Sequence, residues 1–539
     1  MKNLCKQNWY QITLLFLFCV TVFLRFYKLT VLPDVLHIDE AALGYNSWCL
    51  ANYGTDRYLN VLPFYPQNFY GGQSPLYTYL VVLLIKFFGK GNLSVFLVRF
   101  PAAFASLLLW ITGTRSMSLI FDNKKITLAA ALFLCFCPYF VMSGRYALDC
   151  NLMLCCISCS VLVLLLYLKT GKLHTLLLSG VCFGISLYSY ALSYLIIPIF
   201  LVLISLYMLY HKKITFSRIL LWAVSVCITA LPVILFTYTL LFHAEPIHFL
   251  GFTISPISGN RMDEISFSSL GANLWNNLKI TLTYSIYPMD SVDKFYTLYP
   301  VSIPFILLGM LCSVYDFGNS FRTRCFHSGT VYLFYFISCS FVVALTPTDH
   351  LYRANSIYIC YLFFFLRGIR ACCDFLTVYR KAFLSILAYG YVLWIASFMR
   401  YYYTIYSVLD LHTYANSFYF ADISDIVTYI DENLGDKEIY ADCVDVEEFL
   451  YFYYPISPYE RVPLSAREED DEIPKHYILN ASTPLSPSAA YIVRKENQEF
   501  ISYLNDSGLS CHTVEFSPYY LFYFCLLYTS PSPRDRSVS

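Results

Sequence analysis

Between residues 11 and 400 the chain alternates long apolar runs with short polar breaks. Runs near 11–31, 95–121, 125–143, 151–169, 173–190, 192–210, 217–242, 302–318, 329–346, 353–372 and 379–400 each read as a helix crossing a bilayer. Such a helix needs about 20 mostly apolar residues. The run 11–31 follows Lys2 and Lys6 and has no small-residue cleavage site, so it reads as a retained first helix rather than a signal peptide. Leu76–Gly89 is apolar but short, and it carries Lys86. If it spanned, every later loop would change sides. With it lying on the outer surface, the clusters Lys124–Lys125, Lys212–Lys213, Arg322–Arg324 and Arg380–Lys381 all fall on the cytoplasmic side, as the positive-inside rule requires. The pattern therefore predicts eleven spans, the N-terminus inside, and an interfacial helix over 76–89.

Beyond residue 401 charges become frequent and long apolar runs stop. Residues 421–434 read as an amphipathic helix and 437–442 as a strand. Residues 490–495 read as another strand, followed by a helix through Leu504, and 513–525 as a last strand. The expected architecture is an α-helical multi-span membrane domain over 1–400 and a small extracytoplasmic α/β domain over 401–525. The segment 526–539, polar and rich in Pro and Ser, reads as a disordered tail or an adapter-derived artefact, with the natural C-terminus expected elsewhere.

Composition narrows the function. The chain is 58% hydrophobic and only 13% charged, about half the usual charged fraction. That excludes a soluble enzyme, a disordered chain and a basic nucleic-acid binder. Charge balances at 36 Lys+Arg against 36 Asp+Glu, but the topology sorts it into a basic inner rim and an acidic outer face. Most of the 20 Cys lie in apolar runs, Cys156-x-x-Cys159 included, where Cys packs as a small hydrophobe.

Candidate chemistry lies on the outer loops. His37-Ile38-Asp39-Glu40 follows the first span, and Gly71-Gly72-Gln73-Ser74-Pro75-Leu76-Tyr77 and Arg99-Phe100-Pro101 come after it. Adjacent carboxylates near hydrocarbon are either solvated or functional. Arg145 and Asp149 share the short turn 144–150, where a helix-end ion pair also accounts for them. Asp349-His350-Leu351-Tyr352-Arg353 stands at the mouth of a late span. An Arg there either holds an anion or snorkels to headgroups. Tyr188, Tyr190 and Tyr194 sit at a junction of two spans, where an aromatic belt explains them equally well. No HExxH, P-loop or dinucleotide fingerprint occurs. His37, Asp39, Glu40 and His350 are types that bind divalent ions, but no ligand spacing supports a metal site.

This ordered set of motifs resembles the GT-C superfamily of membrane glycosyltransferases. It is most similar to the branch of the protein O-mannosyltransferases and lipid A aminoarabinose transferases. The resemblance is good over roughly 30–200 and weak after 400. It implies a sugar moved from a polyprenyl-phosphate donor to an acceptor hydroxyl at the outer membrane face. In that reading Asp39 is the general base, with Glu40 and Asp149 as further catalytic residues. Arg353, Arg145 and His350 hold the donor phosphate, and Gln73, Tyr188, Tyr190 and Tyr352 lie close to substrate. A single displacement with one base predicts inversion. Metal-dependent relatives carry an Asp-x-Asp in the first outer loop, which this chain lacks. The implied partners are the lipid-linked donor, an acceptor protein, glycolipid or cell-wall glycan, and the bilayer, in a bacterial plasma membrane. The alternative is a transporter or flippase for lipid-linked glycans. It predicts polar residues at mid-membrane, whereas here they gather on the outer loops.

Overall fold

The computed structural model describes residues 2–33, 36–68, 71–257, 267–283, 293–345, 351–405, 423–435, 438–441, 444–461, 485–486, 488–507, 511–516 and 519–524. His350, Asp349, the acidic run Glu468–Glu472 and the tail 526–539 lie outside them. The chain forms two compact units, one of Met1–Asp34 with Asn46–Leu409, the other of Val35–Tyr45 with Asp410–Ser539.

The first unit is helical. Its helices in chain order are α1 Lys2–Phe26, α2 Ile38–Tyr53 (whose first turns belong to the second unit), α3 Pro75–Phe87, α4 Val95–Phe121, α5 Lys124–Phe136, α6 Pro138–Ser143, α7 Asp149–Thr170, α8 Leu173–Ser186, α9 Ser193–Tyr210, α10 Phe216–Thr229, α11 Leu231–Phe242, α12 Leu270–Leu282, α13 Ile303–Thr323, α14 Thr330–Ala344, α15 Tyr358–Phe375 and α16 Arg380–Arg400. Two short antiparallel pairs, β1 Gln67–Asn68 with β2 Gly71–Gly72 and β3 Ile247–Phe249 with β4 Phe252–Ile254, lie in the loops.

Local chemistry places the breaks. Asp122 ends α4 in the left-handed region at φ 45°, and Asn123 then caps α5, its Oδ1 accepting from the backbone N–H groups of Lys125 and Ile126 at 2.9 and 3.3 Å. Gly171, at φ 66°, closes α7. Pro232, at the start of α11, lacks the N–H that would continue α10, and the pair bends by 71°.

Among the described residues seven helices are long and apolar enough to cross a membrane, or eight if the bent pair is one span. Each of the eleven expected segments contains helix, but α5, α8 and α14 have only 13, 14 and 15 residues. At 1.5 Å per residue these are shorter than a bilayer core, so the count of eleven is not reached by length. The protein is a multi-pass membrane protein, and large apolar side chains on α10, α13 and α16 are exposed, as lipid-facing positions would be. In the interior α13 and α15 meet backbone to backbone. A Cβ on Gly309 would run into the Phe364 carbonyl, and one on Gly368 into that of Phe305. This is the small-residue contact that membrane helices use in place of a hydrophobic driving force.

The second unit holds a four-stranded sheet, ordered β5 Glu438–Ala441, β6 Ala489–Arg494, β8 Tyr519–Phe524, β7 Cys511–Glu515. β5 and β6 are parallel and the other pairs antiparallel. Helices α17 Ile423–Asn433, α18 Val444–Tyr453, α19 Pro458–Arg461 and α20 Gln498–Asp506 accompany it. Ala489, Tyr491, Val493, Phe500, Leu504, Phe522 and Phe524 form the core. The last strand expected over 513–525 is two strands. They pair as Glu515 with Tyr520 and Cys511 with Phe524. Within this unit Tyr45 stacks on Tyr451, ring centroids 4.9 Å apart, and its hydroxyl donates to the Ile456 carbonyl at 3.0 Å.

Candidate active site

His37-Ile38-Asp39-Glu40 builds the N-terminus of α2. The His37 N–H donates to Glu40 Oε2 at 3.0 Å, and the Asp39 N–H donates to His37 Nδ1 at 3.1 Å. This is a reciprocal capping box with His in the place usually held by Ser or Thr. Burial pushes the His37 imidazole below its ordinary value, and the charges of Asp39 and Glu40 oppose that shift. Nδ1 also lies 3.6 Å from Asp39 Oδ2. An ion pair there would need a proton on Nδ1, yet Nδ1 accepts the Asp39 N–H, so the neutral ring fits the geometry. Glu40 is buried, and its carboxylate is held by the cap. The Asp39 side chain remains 45% exposed, so of the two carboxylates it is the one that meets solvent.

A second set of residues converges in the first unit. Asp149 opens α7. Its Oδ2 accepts from the Ser74 N–H at 3.3 Å and the Ser74 hydroxyl at 2.6 Å, and its Oδ1 from the Cys150 N–H at 2.8 Å. Ser74 stands just before α3, and the neighbouring Gln73 is buried, its N–H donating to the Pro66 carbonyl at 2.9 Å. The Leu76 N–H donates to the Tyr188 carbonyl at 3.1 Å. The Tyr188 hydroxyl donates to the Thr229 carbonyl at 2.6 Å, and burial raises its phenol to about 12. Tyr352 and Arg353 sit on a 3₁₀ turn, Leu351–Ile357, which Asn355 ties to α7 by a 3.2 Å bond from Nδ2 to Asn151 Oδ1. Tyr190 lies within electrostatic range of Asp149, Cys150, Tyr352 and Arg353. Burial pushes its phenol well up, Cys150, Tyr352 and Asp149 push it further, and the Arg353 cation opposes them. The structure thus gathers an acid, a guanidinium and phenols beside a buried amide, the groups that handle a hydroxyl and a phosphate.

Arg145 is turned elsewhere. It is fully buried and donates six hydrogen bonds to five carbonyls. Nε and Nη2 reach Leu32 O at 3.0 and 2.7 Å. Nη1 reaches Leu24 O and Arg25 O at 2.9 and 3.1 Å, and Nη2 reaches Tyr27 O and Lys28 O at 2.7 and 3.0 Å. The last carbonyls of a helix lack partners and carry the negative end of its dipole, so a guanidinium beyond α1 is well placed to cap them. Tyr403 lies 5.6 Å from the same guanidinium. Arg25 and Arg99 do similar work. Arg25 donates to Leu134 O at 2.9 Å, and Arg99 to Pro33 O at 2.9 Å.

Sequence reasoning passed over Asp56. It is fully buried and accepts from the Tyr58 and Asn60 N–H groups, the Asn60 amide and the Gln67 N–H, at 2.9 to 3.2 Å. Burial holds its carboxyl above the usual carboxylate range, and these bonds pull the other way. The spacing Asp56 to Asn60 is a loop-organising signal. Among the described residues no group of three or more His, Cys, Asp or Glu is arranged to hold a metal. A cavity of about 130 Å³ lies at the far end of α15, lined in part by Asp316, His327, Arg367 and Arg370. Arg367 there pairs with Asp316 at 2.7 and 3.0 Å. It is 14 residues beyond Arg353, about 20 Å along a helix, so that cavity is separate from the Asp149 cluster.

The family model for dolichyl-phosphate-mannose-protein mannosyltransferase matches residues 72–236. That stretch contains Gln73, Arg145, Asp149, Tyr188 and Tyr190, but not Asp39, Glu40 or Arg353. No curated protein matches the sequence. Among solved structures, ArnT from Cupriavidus metallidurans in the apo state is 13% identical with a TM-score of 0.58, covering 96% of this chain and 98% of ArnT. The same protein bound to undecaprenyl phosphate is 13% identical with a TM-score of 0.53, covering 94% and 97%. The oligosaccharyltransferase of Archaeoglobus fulgidus tethered to an acceptor peptide is 13% identical with a TM-score of 0.51, covering 84% of this chain. The chain spans only 64% of that archaeal protein. Identities this low speak to fold, and the family match adds the lineage over 72–236. Residues 72–236 thus match the dolichyl-phosphate-mannose-protein mannosyltransferase family, and the chain as a whole has a fold similar to that of ArnT.

Proposed function

We propose that this protein transfers a sugar from a polyprenyl-phosphate donor to an acceptor hydroxyl at the outer face of a bacterial plasma membrane, with inversion. The observation that carries the reading is the match over 72–236 combined with the ArnT fold, of which one solved structure holds undecaprenyl phosphate. Sugar nucleotides are cytoplasmic, so an outer site calls for a lipid-linked donor. A sugar on a lipid phosphate already has a good leaving group. The enzyme then has to remove the acceptor's proton and stabilise the departing phosphate.

Asp39 is the general base. Its exposed carboxylate, on a helix start held by the His37–Glu40 cap, supports that role. Glu40 positions it. Arg353 holds the donor phosphate, for which a planar guanidinium is suited. His350, three residues earlier, is the proposed second phosphate ligand. Asp149 orients the acceptor, with Gln73, Tyr188, Tyr190 and Tyr352 around it. Arg145 is not assigned to the phosphate, because its N–H groups are directed to the carbonyls after α1. The acceptor is a protein, a glycolipid or a cell-wall glycan.

The test uses labelled sugar on defined polyprenyl-phosphate donors, in membranes carrying the native protein or Asp39→Asn. Transfer should occur with the native protein and vanish with Asp39→Asn while the protein stays inserted and folded. Full transfer by the variant would remove Asp39 as the base. No transfer by the native protein from any such donor would remove the reading itself.

A further inference from the structure

α12 and α14 run side by side with a polar seam between them. At one turn Asn273 Nδ2 donates directly to the Ala344 carbonyl at 3.0 Å. Four residues along α12 and four back along α14, the same register places Asn277 opposite Ser340. One turn further on, Thr281 Oγ1 meets the Tyr361 hydroxyl at 2.8 Å. Asn273, Asn277 and Thr281 thus line one face of α12 at intervals of four.

The middle rung is different. Asn277 is 5% exposed and Ser340 8%. Neither the amide oxygen nor the amide nitrogen of Asn277, nor the Ser340 hydroxyl, has a hydrogen-bond partner among the described residues. Both residues line one small cavity, with Cys339, Ala354 and Ile357 among its walls. The space open to the centre of a water molecule is about 10 Å³. That is about one probe sphere, close to the least that holds a single water. Nothing larger fits, and buried polar groups are normally satisfied.

We infer that this cavity is a binding site for one structural water, which accepts from the Asn277 amide and donates to the Ser340 hydroxyl. The water completes the seam where direct contact fails. Its place in the fold gives it a further role. Ala354 and Ile357 belong to the 3₁₀ turn that carries Arg353, so the water supports that turn from beneath. Asn277 and Ser340 are therefore positioning residues for Arg353. This second role rests on the proposed phosphate contact of Arg353, whereas the water site does not.

High-resolution cryo-electron microscopy of the native protein in a lipid disc should show density for one water between Asn277 and Ser340. Side chains bonded directly, or a dry cavity, would overturn the site. In Asn277→Leu/Ser340→Ala the density should vanish. The KM for a polyprenyl-phosphate donor should then rise on the order of tenfold, as for small displacements of a binding group, with kcat nearly unchanged. Ser340→Ala alone, a smaller change, should lose the density while folding normally. A water lost with donor KM unchanged would overturn the positioning role and leave the site standing. The density is read without activity, so failure of the glycosyltransferase reading cannot be mistaken for failure of the water site.

Discussion

Arg145→Met is a sharp probe of how the C-terminal end of α1 is held. Methionine keeps much of the volume and removes every donor. Lys28 O also accepts from the Leu32 N–H at 2.9 Å, and Leu24 O from the Tyr403 hydroxyl, so those two carbonyls retain partners. Arg25 O, Tyr27 O and Leu32 O have Arg145 as their partner. A buried acceptor left without a partner costs about 1–3 kcal/mol, so three cost roughly 3–9 kcal/mol. The variant no longer has to desolvate a guanidinium, which offsets several kcal/mol. The net loss should lie near the low end, about 3–4 kcal/mol. At about 2–4 °C per kcal/mol for a large domain, melting in detergent should fall on the order of 10 °C. Arg145→Lys, a point charge with three donors, should fall between. Melting unchanged together with a collapse in donor affinity would refute this reasoning, since it would show the guanidinium serving the phosphate and not the chain.

Further outcomes follow from other residues. Arg353→Ala should weaken donor use more than acceptor use in the labelled-sugar assay, and equal KM values for donor would count against a phosphate contact. For His37 the folded imidazole lies below its unfolded value. The unfolded chain therefore binds more protons near and below pH 6.5, and stability falls as pH drops through that range. Melting followed from pH 7.5 to 5 should show this loss, and His37→Asn, which keeps a capping acceptor, should flatten it. Gly368→Val would press a side chain into the Phe305 carbonyl on α13. It should cost about 1–3 kcal/mol, seen as a lower melting temperature, whereas Gly390→Val, with open space around it, should be silent.

What the sequence determined by itself is tied to local and periodic signals. Apolar runs of span length announce α4, α7 and α9 because a bilayer rewards continuous hydrophobicity. The strands 438–441 and 489–494 and the helix after them are visible because period-2 and period-3.6 patterns need only neighbours. The capping box at α2 could have been read from His37 and Glu40 had His been allowed as a cap. By contrast, α18 (VDVEEFLYFY) and the split of 511–524 into two strands escaped pattern reading. Aromatic runs suit helix and strand alike, and pairing register depends on a partner strand. The short helices α5, α8 and α14 show why hydropathy alone does not fix the span count, since apolar character does not measure helix length.

Side-chain duty was decided only by the tertiary structure. Arg145 and Arg353 look equivalent in the sequence, each a cation at a polar turn between apolar helices. The fold sets one against the open carbonyls of α1 and leaves the other within electrostatic range of Tyr190, on a turn tied to α7. A guanidinium goes wherever unmet acceptors or anions lie, and those are supplied by segments more than a hundred residues away. The same holds for Asp149, which Ser74 holds from 75 residues upstream, and for Asn277, whose missing partner shows only once α14 is packed against it. Composition and periodicity make this chain a membrane protein. Which of its few buried polar groups face one another is a matter of long-range packing, which no local pattern encodes.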